Sequence, residues 1–175
     1  HSQEDSERIK NAVTARSQPI FSGNEIFRTN SQSQATYALR GPRSMVGRNP
    51  TVGQADYDSD ANAAYQCAIM WCITGEKAYA EKSKQIVSAW SATLESISGR
   101  DAVLMASLGP FKMVNAAELL RYTDAGWSPE EIQQTESHFR NVIYPVVKDF
   151  APFANGNWDT AAIKSRTGSL ARSLA

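Results

Sequence analysis

Two asparagines, a glycine and an indole stand together late in this 175-residue chain, in the run Ala151-Pro152-Phe153-Ala154-Asn155-Gly156-Asn157-Trp158-Asp159. A primary amide carries two N–H donors and a carbonyl acceptor, and donors gathered where a helix begins suit a carboxylate. A tryptophan can lie on the apolar face of a sugar ring while its indole N–H reaches a polar group. The chemistry open to Asn155, Asn157 and Trp158 is therefore recognition of an acidic sugar. The same letters have a structural reading, in which Asp159 caps the next helix, Asn155-Gly156 turns the chain and Trp158 fills the core. Nothing within the run separates the two.

A second group of candidate residues lies in residues 29–57, where Ser, Gln, Asn, Gly and Pro dominate and Gly41-Pro42, Gly47 and Asn49-Pro50 punctuate the chain. That composition predicts a long loop without regular structure. Arg40, Arg43 and Arg48 occur there with no acidic residue before Asp56, and Tyr37 and Tyr57 flank them. Long loops in compact domains are usually functional or disordered. One reading is a basic arm laid over an acidic ligand, and the other is a solvated linker whose arginines do nothing specific.

The elements that must position these residues are helices. Ala61, Ala64, Tyr65, Ala68, Ile69 and Cys72 recur at three- and four-residue steps, which places them on one face of a helix. Asp58, Ser59 and Asp60 are its expected caps, and Thr74-Gly75 its end. Tyr79, Ile86, Val87, Trp90 and Leu94 give a second helix its apolar stripe, so the two fold back as an antiparallel hairpin. Upstream, residues 5–16 read as a helix and residues 19–27 as a weaker one interrupted by Ser22-Gly23-Asn24. Downstream, residues 101–122 form a helical stretch broken near Gly109-Pro110. Ser128-Pro129-Glu130-Glu131 then reads as a capping box opening a helix to about residue 150, kinked at Pro145. No period-two strand pattern stands out. The expectation is an all-α chain of successive antiparallel hairpins.

Composition narrows the partners. Eighteen basic and eighteen acidic residues leave no net charge, so no global field recruits nucleic acid or a membrane surface, and no long uninterrupted apolar run suggests a span. A charged partner must be read by a local patch. Cys67 and Cys72 share a helix at a spacing that cannot close a disulfide, and the two histidines, His1 and His138, are far apart in sequence. No metal and no cofactor are therefore expected. The opening at His1 is what a secreted protein shows after signal cleavage, and a trimmed chain would read the same.

Several motifs share an order. Asp60-Ala61-Asn62-Ala63-Ala64-Tyr65-Gln66 is followed by Trp71-Cys72-Ile73-Thr74-Gly75-Glu76-Lys77-Ala78-Tyr79-Ala80 and Ala89-Trp90. Then come Asn115-Ala116-Ala117-Glu118-Leu119-Leu120-Arg121, Tyr144-Pro145, and Asn155-Gly156-Asn157-Trp158-Asp159 leading to Ala161-Ala162-Ile163. In this order they resemble the alginate lyase family of α/α-toroid polysaccharide lyases, over residues 5–165. The family's toroid continues with further hairpins, so the resemblance is to its N-terminal half. It implies a partial (α/α) toroid over residues 1–165, with residues 166–175 an atypical basic tail.

The resemblance also implies a chemistry, the cleavage of uronic-acid polysaccharide by β-elimination. A group neutralises the sugar carboxylate, a base removes the neighbouring proton, and an acid assists the departing oxygen. Neutralisation is required because a proton beside an ionised carboxylate is hardly acidic until donors mask the charge. By this resemblance Asn155 and Asn157 meet the carboxylate, Trp158 lies beside the sugar, and Arg40 and Arg43 contact the acidic chain from a flexible arm over the cleft. Where alginate-specific members carry a histidine base this chain has Asn157, and an amide cannot serve as one. A tyrosine then acts as base, Tyr57 or Tyr65, or there is no elimination. The expected partner is an acidic polysaccharide or oligosaccharide, and the expected location is extracellular. A non-catalytic carbohydrate-binding protein is the other reading, and self-association through exposed helix faces a third.

Overall fold

The computed structural model describes residues 3–148, and these are mostly helical. Helices α1 (Gln3–Thr14) and α2 (Ile20–Thr29) lead through a single 3-10 turn (Ser31–Ser33) into an extended arm. The arm contains a three-residue strand, β1 (Met45–Gly47), and ends at α3 (Gln54–Thr74). After α4 (Lys77–Thr93) come β2 (Ser96–Ser98), α5 (Ala102–Leu108), α6 (Pro110–Arg121), α7 (Pro129–His138), a π-helical turn (Phe139–Ile143) and α8 (Tyr144–Val147).

Local signals explain most boundaries. Gly75 takes the left-handed conformation (φ 71°) and its N–H closes α3 on the Trp71 carbonyl. Ser128 accepts from the Glu131 N–H while Glu131 accepts from the Ser128 N–H, both at 3.2 Å, so the expected capping box is present. Pro110 starts α6 immediately after the break at Gly109. Proline at 145 has no N–H to give the turn before it, and there the ladder widens into the π turn instead of continuing as α-helix.

Four expectations need correction, the first being the interruption at Ser22-Gly23-Asn24, through which α2 runs unbroken. Helix α3 begins at Gln54, not near residue 58, because Gly53 (φ 59°) turns the chain in and its carbonyl accepts from the Tyr57 N–H. Asp60 thus lies well inside the helix and caps nothing. The arm of residues 29–57 is not irregular throughout, since β1 pairs in parallel with β2 through Met45↔Ser96, Val46↔Ile97 and Gly47↔Ser98. A ladder of this length is too short to leave an alternation in sequence. Finally, α3 is covered on more than one side: Ala61, Ala64 and Ala68 are buried as expected, and so are Ala63, Cys67 and Met70, whereas Tyr65, Ile69 and Cys72 are only half-buried. A helix this enclosed is the centre of the fold.

Side-chain contacts give the direction of packing. Trp90 of α4 meets Asp60 and Ser83 meets Ala64, so α4 runs antiparallel to α3. Gly109 abuts Tyr57, and the Trp71 indole donates to Thr123 Oγ1, just past the end of α6, at 2.9 Å, so α6 runs parallel to α3. Lys84 donates to the Gly126 carbonyl ahead of α7, and His138 at its end reaches the Leu94 backbone, so α7 runs parallel to α4. Two hairpins, α3/α4 and α6/α7, therefore stack in the same sense, first helix on first and second on second. The core between them holds Tyr57, Ile86, Val87, Trp90, Met105, Met113, Val114 and Phe139. The segment Ala102–Arg121 has the length and composition of a membrane span, but more than half of it is buried inside this core.

Candidate functional site

The cationic arm and the start of α3 meet at one end of the hairpin stack, and this end is built around Asp60. Its side chain is fully buried. Oδ1 accepts from the Tyr37 hydroxyl at 2.9 Å and the Arg40 N–H at 3.0 Å. Oδ2 accepts from the Gly41 N–H at 3.0 Å and the Trp90 indole N–H at 2.8 Å. A carboxylate taken out of water needs its lone pairs occupied, and here each oxygen has two donors. Burial, and after it the hydrogen bond to Asp60, pushes the Tyr37 phenol above its ordinary range. Glycine at 41 is required by close approach, because a Cβ there would lie 2.2 Å from Trp90 Cζ2.

The arm is tied down at two further places. Asp101 N–H donates to the Arg48 carbonyl and Arg100 N–H to the Asn49 carbonyl, while Asn49 Nδ2 donates to Asp101 Oδ2 at 2.7 Å. Arg43 pairs with Asp56, its Nε donating to Oδ2 at 3.2 Å.

These anchors sort the three arginines. Arg43 is half-exposed and already carries an acidic partner within the chain. Arg40 and Arg48 form no ion pair among the described residues. The Arg40 guanidinium lies beside the Tyr37 hydroxyl, and Arg48 and Lys112 both stand near enough to Asp58 to stabilise its charge. Asp58 is half-buried, and desolvation holds its carboxyl above the usual range against the Gln54 hydrogen bond and those cations. Its Oδ1 has no hydrogen-bond partner among the described residues.

The two tyrosines proposed as base differ. Tyr57 is enclosed, only 1% exposed, with its ring edge-on to Trp90 at 4.7 Å, and desolvation drives its phenol strongly upward. A hydroxyl held in the core does not meet a polysaccharide, so of the pair only Tyr65 is open to solvent. Tyr65 is half-buried, and desolvation raises its phenol as well. Asn155, Asn157 and Trp158 lie outside the described residues, as does the 166–175 tail.

Sequence reasoning missed Asp60 and Trp90 as the centre of this end. The signal was present: Asp60 interrupts an otherwise apolar inward face three residues after Tyr57. A charge on a buried stripe asks for partners. Cys67 and Cys72 are free thiols, as expected, with Cys67 raised to about 11 by burial. No group of three or more acidic, histidine or cysteine side chains could hold a metal among the described residues.

A second concave feature lies between α6 and α7, a cleft of about 320 Å³ including its open mouth, lined by Val114, Ala117, Trp127, Ile132, Thr135 and Phe139 and bordered by the Arg121–Glu136 ion pair. Trp127 Nε1 and Thr135 Oγ1 are buried beside it without a hydrogen-bond partner among the described residues. Since neither atom is accessible, the cleft presents an apolar wall.

Comparison of the chain with protein-family models, curated proteins and solved structures finds no match.

Proposed function

We propose that this chain is a polysaccharide lyase-like protein of partial α/α-toroid architecture that recognises uronic-acid polysaccharide of the alginate or glucuronan type. The observation that carries the reading is the Arg40–Arg48 arm. Two arginines that form no ion pair among the described residues stand on backbone anchored at one end of two hairpins stacked in the same sense. Hairpins repeated in that sense are the unit from which a toroid is built, and an anionic polymer needs accessible cations, of which Arg40 is the exposed one and Arg48 is shared with Asp58. Asn155 and Asn157 act at the sugar carboxylate and Trp158 beside the ring in this reading, which rests for those residues on their order in the sequence. The chain works outside the cell, and it needs no metal or cofactor.

In this reading β-elimination falls to Tyr65 as base. A phenol raised by desolvation is a weak source of phenolate near neutral pH, which favours a second reading, binding without turnover. One experiment separates them. The folded chain is incubated with alginate, glucuronan and related polyuronates, and the ultraviolet absorbance of the unsaturated product is followed alongside binding by calorimetry. Rising absorbance supports the lyase, binding with a flat trace supports the carbohydrate-binding protein, and neither with any polyuronate overturns both.

A further inference from the structure

An arm that closes over a ligand must be able to leave the body of the protein, and this one is fastened where it matters. Arg40 and Gly41 give their backbone N–H groups to Asp60 on α3, and the Trp90 indole on α4 binds the same carboxylate. The Gly41 backbone lies directly against the Trp90 ring. Farther along, the carbonyls of Arg48 and Asn49 are held by residues 100 and 101, and between these two anchors Arg43 reaches across to Asp56.

We propose that Asp60 is the positioning residue of this arm: it turns the arm into a fixed lip that presents Arg40 to an acidic polysaccharide, in place of a lid that closes on one. This rests on the reading of the chain as a polyuronate-recognising protein. The carboxylate works through the main chain, since it holds the amides on both sides of the Arg40 carbonyl and so fixes where the Arg40 side chain departs. Tyr37 adds to the effect, with its hydroxyl donating to Asp60 and lying beside the Arg40 guanidinium. A pre-set cation loses less conformational freedom on binding than one carried on a mobile loop. The acidic ligand itself touches Arg40 and not Asp60, whose side chain has no exposed surface.

The test compares Asp60→Asn, Tyr37→Phe and Arg40→Ala with the wild-type chain. Hydrogen exchange is read at the amides of residues 40 and 41, and affinity is read by calorimetry with oligoglucuronate and oligomannuronate. Asp60→Asn is expected to speed exchange at both amides and weaken binding, each by about tenfold or more. Tyr37→Phe keeps the carboxylate and should shift both readouts the same way by less, and it carries the test if Asp60→Asn does not fold. Arg40→Ala should lose affinity with exchange unchanged. Unaltered exchange in Asp60→Asn and Tyr37→Phe would overturn the positioning role, and so would full affinity retained after the amides are released. A wild-type chain that binds no polyuronate sinks the recognition reading instead, and the exchange data tell the two failures apart.

Discussion

Two buried polar sites in this molecule, the Asp60 carboxylate and the Trp127/Thr135 pair, are treated in opposite ways. At the arm, Asp60 is wholly enclosed and both its oxygens are doubly satisfied, by donors from the arm and from α4. At the α6/α7 corner, Trp127 Nε1 and Thr135 Oγ1 are enclosed beside an incompletely filled cleft with no partner among the described residues. A satisfied buried network specifies one geometry, whereas unsatisfied groups cost stability and specify little. The difference teaches where this fold is rigid by construction. The main chain around Arg40 is held by the satisfied site, whereas Asp58 Oδ1 near Arg48 and the Trp127/Thr135 pair find no hydrogen-bond partner among the described residues.

Four measurements can break or sharpen that contrast. The largest effect is expected from Asp60→Ala, which strands buried donors from two elements at once. It should lower the unfolding free energy by about 3 kcal/mol or more in urea titrations, because each stranded buried group costs roughly 1–3 kcal/mol. A loss below about 1 kcal/mol would mean that the donors find other partners.

Next comes His138, at the end of α7 and largely buried. Burial lowers its imidazole to about 4, against an ordinary value of 6.5. Between these values the unfolded chain binds the proton and the folded chain does not, so stability is complete above pH 6.5 and falls as pH is lowered toward 4. The expected loss across that window is up to about 3 kcal/mol. His138→Leu should remove this part of the slope, and a slope identical in the two proteins would contradict the buried neutral imidazole.

Gly41→Ala tests the close approach of arm and indole. With Trp90 Cζ2 only 2.2 Å from the new Cβ, the arm or the ring must shift, at a cost of about 1–3 kcal/mol. Intrinsic fluorescence should report the altered environment of Trp90, and wild-type stability with an unchanged spectrum would show that the contact yields freely. The smallest effect is expected at the other site. Thr135→Val replaces an unpartnered buried hydroxyl with a methyl group of similar shape and should leave stability unchanged or raise it by up to about 1 kcal/mol. A loss of stability there would reveal a partner for the hydroxyl and weaken the contrast.

The helices were legible because their signals are local. The step of three and four residues that placed Ala61, Ala64 and Ala68 inward, the glycine after Thr74, the break at Gly109-Pro110 and the Ser128 capping box each depend on residues within a turn or two. Where a local signal was ambiguous the reading erred, as at Asp58 and Asp60, which look like caps only until Gly53 is seen to start α3 earlier. The site was less legible. Arg40, Arg43 and Arg48 could be listed as cations, but only packing distinguishes Arg43, paired with Asp56, from the other two. Tyr57 and Tyr65 could not be separated by composition, and burial separates them.

By itself, then, the sequence determined that the chain is helical and where its two main hairpins turn. The tertiary structure alone decided that the hairpins stack in the same sense, that β1 and β2 pair, and that the arm is anchored on Asp60. The reason is separation along the chain. The partners of Asp60 lie 19 to 30 residues away, and a hydrogen bond between residues so distant leaves no periodicity to read. Only when α3 and α4 fold together do Tyr37, Arg40, Gly41 and Trp90 converge on one carboxylate.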